Sequence, residues 1–378
     1  MPALEPEQPL NSSPSIAAHA NSAQIYSSDT ASTTLVLKQF PLHLHDTARA
    51  IPITAGGFSG ARVWKIETAG PPLCLRQWPA GGLPRERIQG LHRLCAHLAA
   101  RELHVVPVPF TALHGATLVE AGQRFWQLEP WMPGTADFQL HPALPRLDAA
   151  LRCLADWHQA AASFVPRGAE CRWFHSLAEA PVPAIADRIE FIDYWTPVRC
   201  AQAQAALAQL AWVEFRDSGL EILQLFGRAA GRIRDELAAV SRLTLRVQPC
   251  LRDVWHDHVL YSGDVVTGLI DPGACRTDTV ATDVARLLGS LTNDRQDLWD
   301  FALDRYCRYH PLTPAEQRLV GLLDRSTVLL SGMTWLRWVL FEHRRWPQPE
   351  RVIERLRQIL GRLQRLVNGP APGPFYHP

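Results

Sequence analysis

Residues 250–274 read CLRDVWHDHVLYSGDVVTGLIDPGA. A short strand pattern, QPCLRD, runs into Asp253. Two more, VLYSG and VVTGLID, follow it and end at Asp271, before a Pro-Gly turn. His258 comes five residues after Asp253, and Asp271 eighteen. One hairpin brings the three to a single cleft edge. A base beside two metal-directed groups is what phosphoryl transfer uses: the base orients a hydroxyl, and a metal neutralises the β- and γ-phosphates. Other readings compete. His256 and His258 form an H-x-H pair that shares a face on a strand and suits zinc, but no further histidines stand at hydrolase spacing. His256 and Asp257 also read as solvated groups of a turn.

Outward from this stretch the chain changes character near residue 133. Before it, RAIPIT, GGFSGARVWKIET and LCLRQWP read as strands joined by tight turns. A helix follows around RERIQGLHRLCAHLAARE. VVPVPF, ATLVE and RFWQLEPWM supply further strands, ending at Pro133-Gly134. After it, LPRLDAALRCLADWHQAAASF has apolar residues at i, i+3 and i+4, and helical patterns dominate 183–241 and about 281–367. The expected organisation is a tail over 1–33, a β-rich lobe over 34–133, a mainly helical lobe over 134–367 and a Pro/Gly tail over 368–378. The fold class is α+β and bilobal, with a small antiparallel sheet and one helix ahead of a larger helical lobe.

GGFSGA, residues 56–61, lies between two strands. Rossmann and P-loop sites need a helix after the glycines, so both are excluded. A Gly-rich hairpin lets backbone N–H groups approach phosphates, although a hairpin with no ligand has the same sequence. Arg76, on the next strand, is either a cation under that hairpin or a surface arginine at a strand edge.

The 378 residues are 47% hydrophobic and carry a net charge of +1, which gives no global attraction for nucleic acid or anionic membrane. Lys38 and Lys65 are the only lysines, so chemistry that ordinarily uses lysine falls to these or to an arginine. The eight cysteines form no C-x-x-C pair, as expected of small buried residues in a reducing compartment. The apolar tract VGLLDRSTVLLSGMTWLRWVLF is interrupted by Asp324, Arg325 and Arg337 and reads as a buried helix. With no signal-peptide pattern at the start, a cytoplasmic protein without membrane contact is expected.

Taken in order, GGFSGA, Arg76, LEPWMPG (128–134), LRDVWHDH (251–258) and LIDPG (269–273) resemble the motifs of the aminoglycoside phosphotransferase-like branch of the protein-kinase-like superfamily, with a homoserine-kinase-like variant allowed. TDVARLLG (282–289) is similar to the segment that packs under the family's catalytic loop, and LRCLADWHQA (151–160) to a helix ending in Leu-His. The resemblance spans about residues 33–340. It implies a kinase transferring the γ-phosphate of ATP to a hydroxyl of a small molecule of aminoglycoside, homoserine or amino-alcohol type. Asp253 would be the catalytic base and Asp271 the principal Mg²⁺ ligand. Gly56, Gly57, Ser59 and Gly60 would cover the phosphates, and Trp131 would line the adenine side of the hinge.

The chain departs from the family pattern in several places. Arg76 replaces the usual lysine, keeping charge but adding bulk. His258 replaces the metal-binding asparagine, which favours Mn²⁺ as an alternative to Mg²⁺. Leu251 stands where a histidine is usual. The helix glutamate that pairs with the strand cation has three candidate positions: Glu86, Gln89 and His92. These departures also allow a catalytically inactive nucleotide-binding module on the same fold. Trp335, Trp338 and Trp346 read as core or cleft wall. HRRWPQPERVIERLR (343–357) reads as a solvated helix face, with recognition of an acidic substrate as the lesser reading.

Overall fold

The computed structural model describes residues 32–45, 48–53, 58 and 60–369. The expected N-terminal tail, almost all of the C-terminal one, and Gly56, Gly57 and Ser59 lie outside the described residues.

Five antiparallel strands form the first sheet, in the order β1 (Arg49–Pro52), β2 (Arg62–Glu67), β3 (Leu73–Gln77), β5 (Arg124–Pro130) and β4 (Val119–Ala121). Strand alternation gives the sheet two different faces. Trp64, Leu73, Leu75, Trp126 and Leu128 build one apolar face, closed by Val36, Leu37 and Phe40 in and just after a short helix, α1, over 32–37. That helix is absent from the sequence reading, in which the tail ran through its first two residues. Cys74 pairs with Glu129 and Arg76 with Gln127 across β3 and β5, so these four share the other face. Helix α2 (Arg85–Ala99) covers it, burying Ile88, Leu91, Leu94 and Leu98. Arg76 therefore sits on an interior strand, 8% exposed, and not at an edge.

VVPVPF is not a strand. Pro107 and Pro109 have no N–H to give a ladder, and the segment makes isolated bonds instead: Phe110 N–H to Leu128 O and Leu269 N–H to Val105 O.

Gly134 turns the chain out of β5 with φ +98°. A Cβ there would collide with Thr267 Oγ1 and lie 2.6 Å from Tyr261 O, so the joint requires glycine. Thr135 and Tyr261 exchange backbone hydrogen bonds and tie the joint to β8 (Val259–Ser262), the partner of β9 (Val265–Leu269). The remainder is mostly helical. It comprises α3 (Leu144–Ala161), α4 (Pro183–Tyr194), α5 (Pro197–Ala208), α6 (Val213–Ala239), α7 (Val280–Leu291), α8 (Gln296–Tyr309), α9 (Pro314–Leu336) and α10 (Pro349–Asn368). A three-stranded sheet, β10 (Arg276–Asp278), β7 (Thr244–Cys250) and β6 (Leu177–Pro181), lies among them; β6 and β10 escape the sequence reading because each is short and lacks an alternating pattern. Helix α7 is almost wholly buried, and α9 carries the apolar tract read as a core helix. Among the described residues no helix is long and apolar enough to cross a membrane. All eight cysteines are free, and five of them are buried.

Candidate functional site

Asp253 is positioned from below. Asp283, fully buried in the first turn of α7, accepts the N–H groups of Leu251 (2.7 Å) and Arg252 (2.5 Å). His158, near the end of α3, donates from Nε2 to the same carboxylate at 3.0 Å, and its Nδ1 meets Tyr306 Oη at 2.7 Å. The buried group of His158, Cys250 and Asp283 is thus consumed in internal bonds, which leaves no donor set for an ion there. Arg252 takes a left-handed conformation, φ +64°, offset by its N–H bond and by ion pairs to Asp187 (2.5 Å) and Asp278 (3.0 Å). The twist turns Asp253 into the cleft. Arg286, one turn beyond Asp283, donates to Asp253 Oδ1 from Nε (3.2 Å) and Nη2 (3.0 Å). Oδ2 carries no bond among the described residues.

Asp271 is also left-handed, φ +57°, an unusual state for a residue before proline. Its Oδ1 accepts from Arg76 Nη1 at 2.9 Å. Burial alone would raise its pKa; the Arg76 guanidinium outweighs that and holds the carboxyl below the usual carboxylate range. His258 Nδ1 lies 2.7 Å from Asp253 O, which can only accept, so Nδ1 carries the proton and Nε2 is bare. That lone pair receives Trp255 Nε1–H at 3.0 Å and stands 4.0 Å from Asp271 Oδ2. A carboxylate and a bare imidazole nitrogen fit a divalent cation, provided the indole N–H gives way.

Arg76 has a second acid. Glu129, buried on β5, lies 3.8 Å from its Nε. Burial raises the pKa of Glu129 despite the guanidinium, while Arg76 is held charged by Asp271 and Glu129 against its own burial. Gln127 donates to Glu129 Oε2 at 2.5 Å. Gln127 Oε1 in turn receives Trp78 Nε1–H and His92 Nε2–H, both at 2.8 Å. Of the three helix candidates, Glu86 is exposed and makes no pair with Arg76, whereas His92 reaches the cation through Gln127. Burial depresses the His92 pKa to about 4, so it is neutral.

A cavity of about 1060 Å³ joins these groups. Gly60, Arg76, Asp253 and Asp271 line it, with Phe58, Trp346 and the loop Pro79–Leu83. His258 borders it through Asp271. Trp131 does not line it; it stands at the hinge with Lys65 Nζ 5.8 Å from its ring centroid. Phe58 packs edge-on against Trp335 (4.7 Å) and Trp346 (6.5 Å), linking the Gly hairpin to the helical region. His256 is not solvated: its side chain is 13% exposed, and burial lowers its pKa to about 4. Nor is 343–357 merely a solvated face, since Arg344, Arg345, Trp346 and Arg351 line the cavity. Glu129 and Arg286 were quoted within motifs but given no role. Strand alternation with Arg76's face was the available signal for Glu129; none marked Arg286.

An antiparallel sheet with one covering helix, a hinge, and a buried acid holding a catalytic loop define the protein-kinase-like fold. Within that class the chain belongs to the phosphotransferase enzyme family, whose model matches residues 49–322. Several solved structures share the fold. An amicoumacin kinase in complex with AMP-PNP and Ca²⁺ is 12% identical, with a TM-score of 0.59 over 87% of this chain and 92% of that one. A spectinomycin phosphotransferase in complex with ADP and spectinomycin gives 0.55 at 9% identity over 84% and 92%. A microcompartment-associated aminopropanol kinase gives 0.53 at 14% over 89% and 98%. No curated protein matches the sequence.

Proposed function

We propose that this protein is an ATP-dependent kinase that transfers the γ-phosphate to a hydroxyl group of a small molecule. The observation that carries the reading is the convergence of Asp253, Asp271 and Arg76 on one cavity. Asp253 offers an unbonded Oδ2 to the hydroxyl of the acceptor, while Arg286 fixes the other oxygen. Asp271 and His258 hold a divalent cation, Mg²⁺ or Mn²⁺, which when bound neutralises phosphate charge. Arg76, fixed between two acids, presents a cation to the donor phosphates, and the hairpin ending at Gly60 covers them. Positioning and electrostatics supply the catalysis. The nucleotides held by the amicoumacin and spectinomycin enzymes support ATP as donor. Retention of both Asp253 and Asp271 argues against an inactive binding module.

Asp253→Asn tests the reading. It is expected to abolish turnover, measured as nucleoside diphosphate release, while nucleotide binding persists. Turnover at the wild-type rate in that variant refutes the role of Asp253.

A further inference from the structure

The cavity is lined by more arginines than acids. Arg62, Arg76, Arg344, Arg345 and Arg351 line it, against Asp253 and Asp271 as the acids. Both acids are already engaged, Asp253 by Arg286 and Asp271 by Arg76. Arg344, Arg345 and Arg351 all belong to one stretch, from the turn after α9 into the first turn of α10. Pro347 and Gln348 line the same wall, so the N–H end of the α10 dipole adds to its positive field.

This wall stands beside Asp253. One turn past Arg351, the Arg355 guanidinium lies 4.5 Å from the Trp255 ring centroid, and Arg286 lies 5.6 Å from the same ring. Arg355 feels the charge of Arg286, which opposes its own, and those of Asp257 and Asp253, which favour it. Arg355 bonds Gln358 and makes no ion pair among the described residues. Arg344 is paired with Glu342 at 2.7 Å, whereas Arg345 is exposed and has no ion pair among the described residues. Phe58 of the Gly hairpin packs on Trp346 of this stretch, so the arginines border both the hairpin and Asp253.

The hydroxyl that Asp253 serves must enter against these arginines. An acceptor carrying several ammonium groups would meet like charge on that wall. A carboxylate or phosphate on the acceptor would instead gain charge-assisted, bidentate hydrogen bonds. We propose that the acceptor is an anionic alcohol, a hydroxyl compound bearing a carboxylate or phosphate, gripped by Arg345. The inference rests on the phosphotransfer reading of the cleft.

Four three-carbon alcohols separate the possibilities: glycerate, glycerol 3-phosphate, neutral glycerol and cationic 2-amino-1,3-propanediol. Each is titrated calorimetrically into the full chain, with and without saturating AMP-PNP and Mg²⁺. At least one of the two anions is expected to bind about ten-fold or more tightly than glycerol and the amine, and Arg345→Ala to lose about ten-fold of that. AMP-PNP affinity in the variant should stay within about two-fold of wild type, because the donor phosphates are assigned to Arg76 and the hairpin and not to Arg345. Arg345→Lys, which keeps the charge, should retain part of the anion affinity. Equal binding of anion and amine, or no binding of either anion, overturns the inference. So does a matching loss of AMP-PNP affinity in Arg345→Ala, which would assign the arginine to the donor phosphates. Absence of AMP-PNP binding to wild type overturns the phosphotransfer reading itself, and the nucleotide titration alone reveals that.

Discussion

Glu129 lies 3.8 Å from Arg76 Nε and is the second acid at that guanidinium, on the strand beside it and not on the covering helix. The helix supplies His92, neutral and linked to Glu129 through Gln127. A bulkier cation than lysine fills more of the space between sheet and helix. The acid that fixes it comes from the neighbouring strand, which shares its face.

The pair should be visible in stability. Arg76→Met leaves Glu129 buried and Asp271 unpaired, and is expected to cost about 3–5 kcal/mol at pH 7. Adding Glu129→Leu should recover at least about 1 kcal/mol, a coupling that a double-mutant cycle by urea unfolding measures. Additive losses would show that the two residues do not interact.

Asp283 should matter through backbone bonds. Asp283→Ala orphans two buried N–H groups and His158, for an expected loss of about 2–4 kcal/mol, and turnover should fall because Asp253 loses its support. Asp257→Ala, at a half-buried site in the same loop that accepts no backbone N–H among the described residues, should change stability by less than about 0.5 kcal/mol. Equal effects of the two substitutions would contradict the support role.

Acid sensitivity follows from His92. Its pKa is 6.5 ordinarily and about 4 in the fold, where burial disfavours the charged form. Between these values the unfolded chain binds a proton that the folded chain does not. Stability therefore falls as pH drops through that window, by up to about 3 kcal/mol from this residue, and is unaffected above it. His256 and His310 shift the same way, so the difference between wild type and His92→Gln isolates His92. Thermal melts from pH 7 to 4 should show a shallower fall in the variant; parallel curves would refute the assignment.

Phe58 is expected to tether the Gly hairpin. Phe58→Ala removes an aromatic contact worth about 1 kcal/mol and should weaken ATP binding by roughly five-fold, with a change in tryptophan fluorescence. Unchanged affinity and fluorescence would leave the contact without a role.

Much of this architecture was legible in residues 250–274 and the motifs around them, because the groups proposed as base and metal ligands sit close together in sequence, on short loops. Asp283 and His158 lay within two helical segments, TDVARLLG and LRCLADWHQA, that the resemblance marked out. What escaped depends on pairing across the fold. VVPVPF has strand composition, but its prolines cannot enter a ladder. Helix 32–37 forms because the sheet offers an apolar face, which nothing local announces. Glu129 looks like hinge sequence until strand register sets it beside Arg76. The arginines at 344, 345 and 351 look solvated until the turn after α9 folds them against the cleft.

Asp271 and Arg76 are proposed to mark a metal-dependent ATP site. A thermal-shift titration with ATP, in the presence of Mg²⁺, of Mn²⁺ and of neither, on wild type and Asp271→Ala, tests it most directly. The account predicts a metal-dependent rise in wild type that disappears in the variant. No rise with either metal, or an equal rise in both proteins, would contradict it.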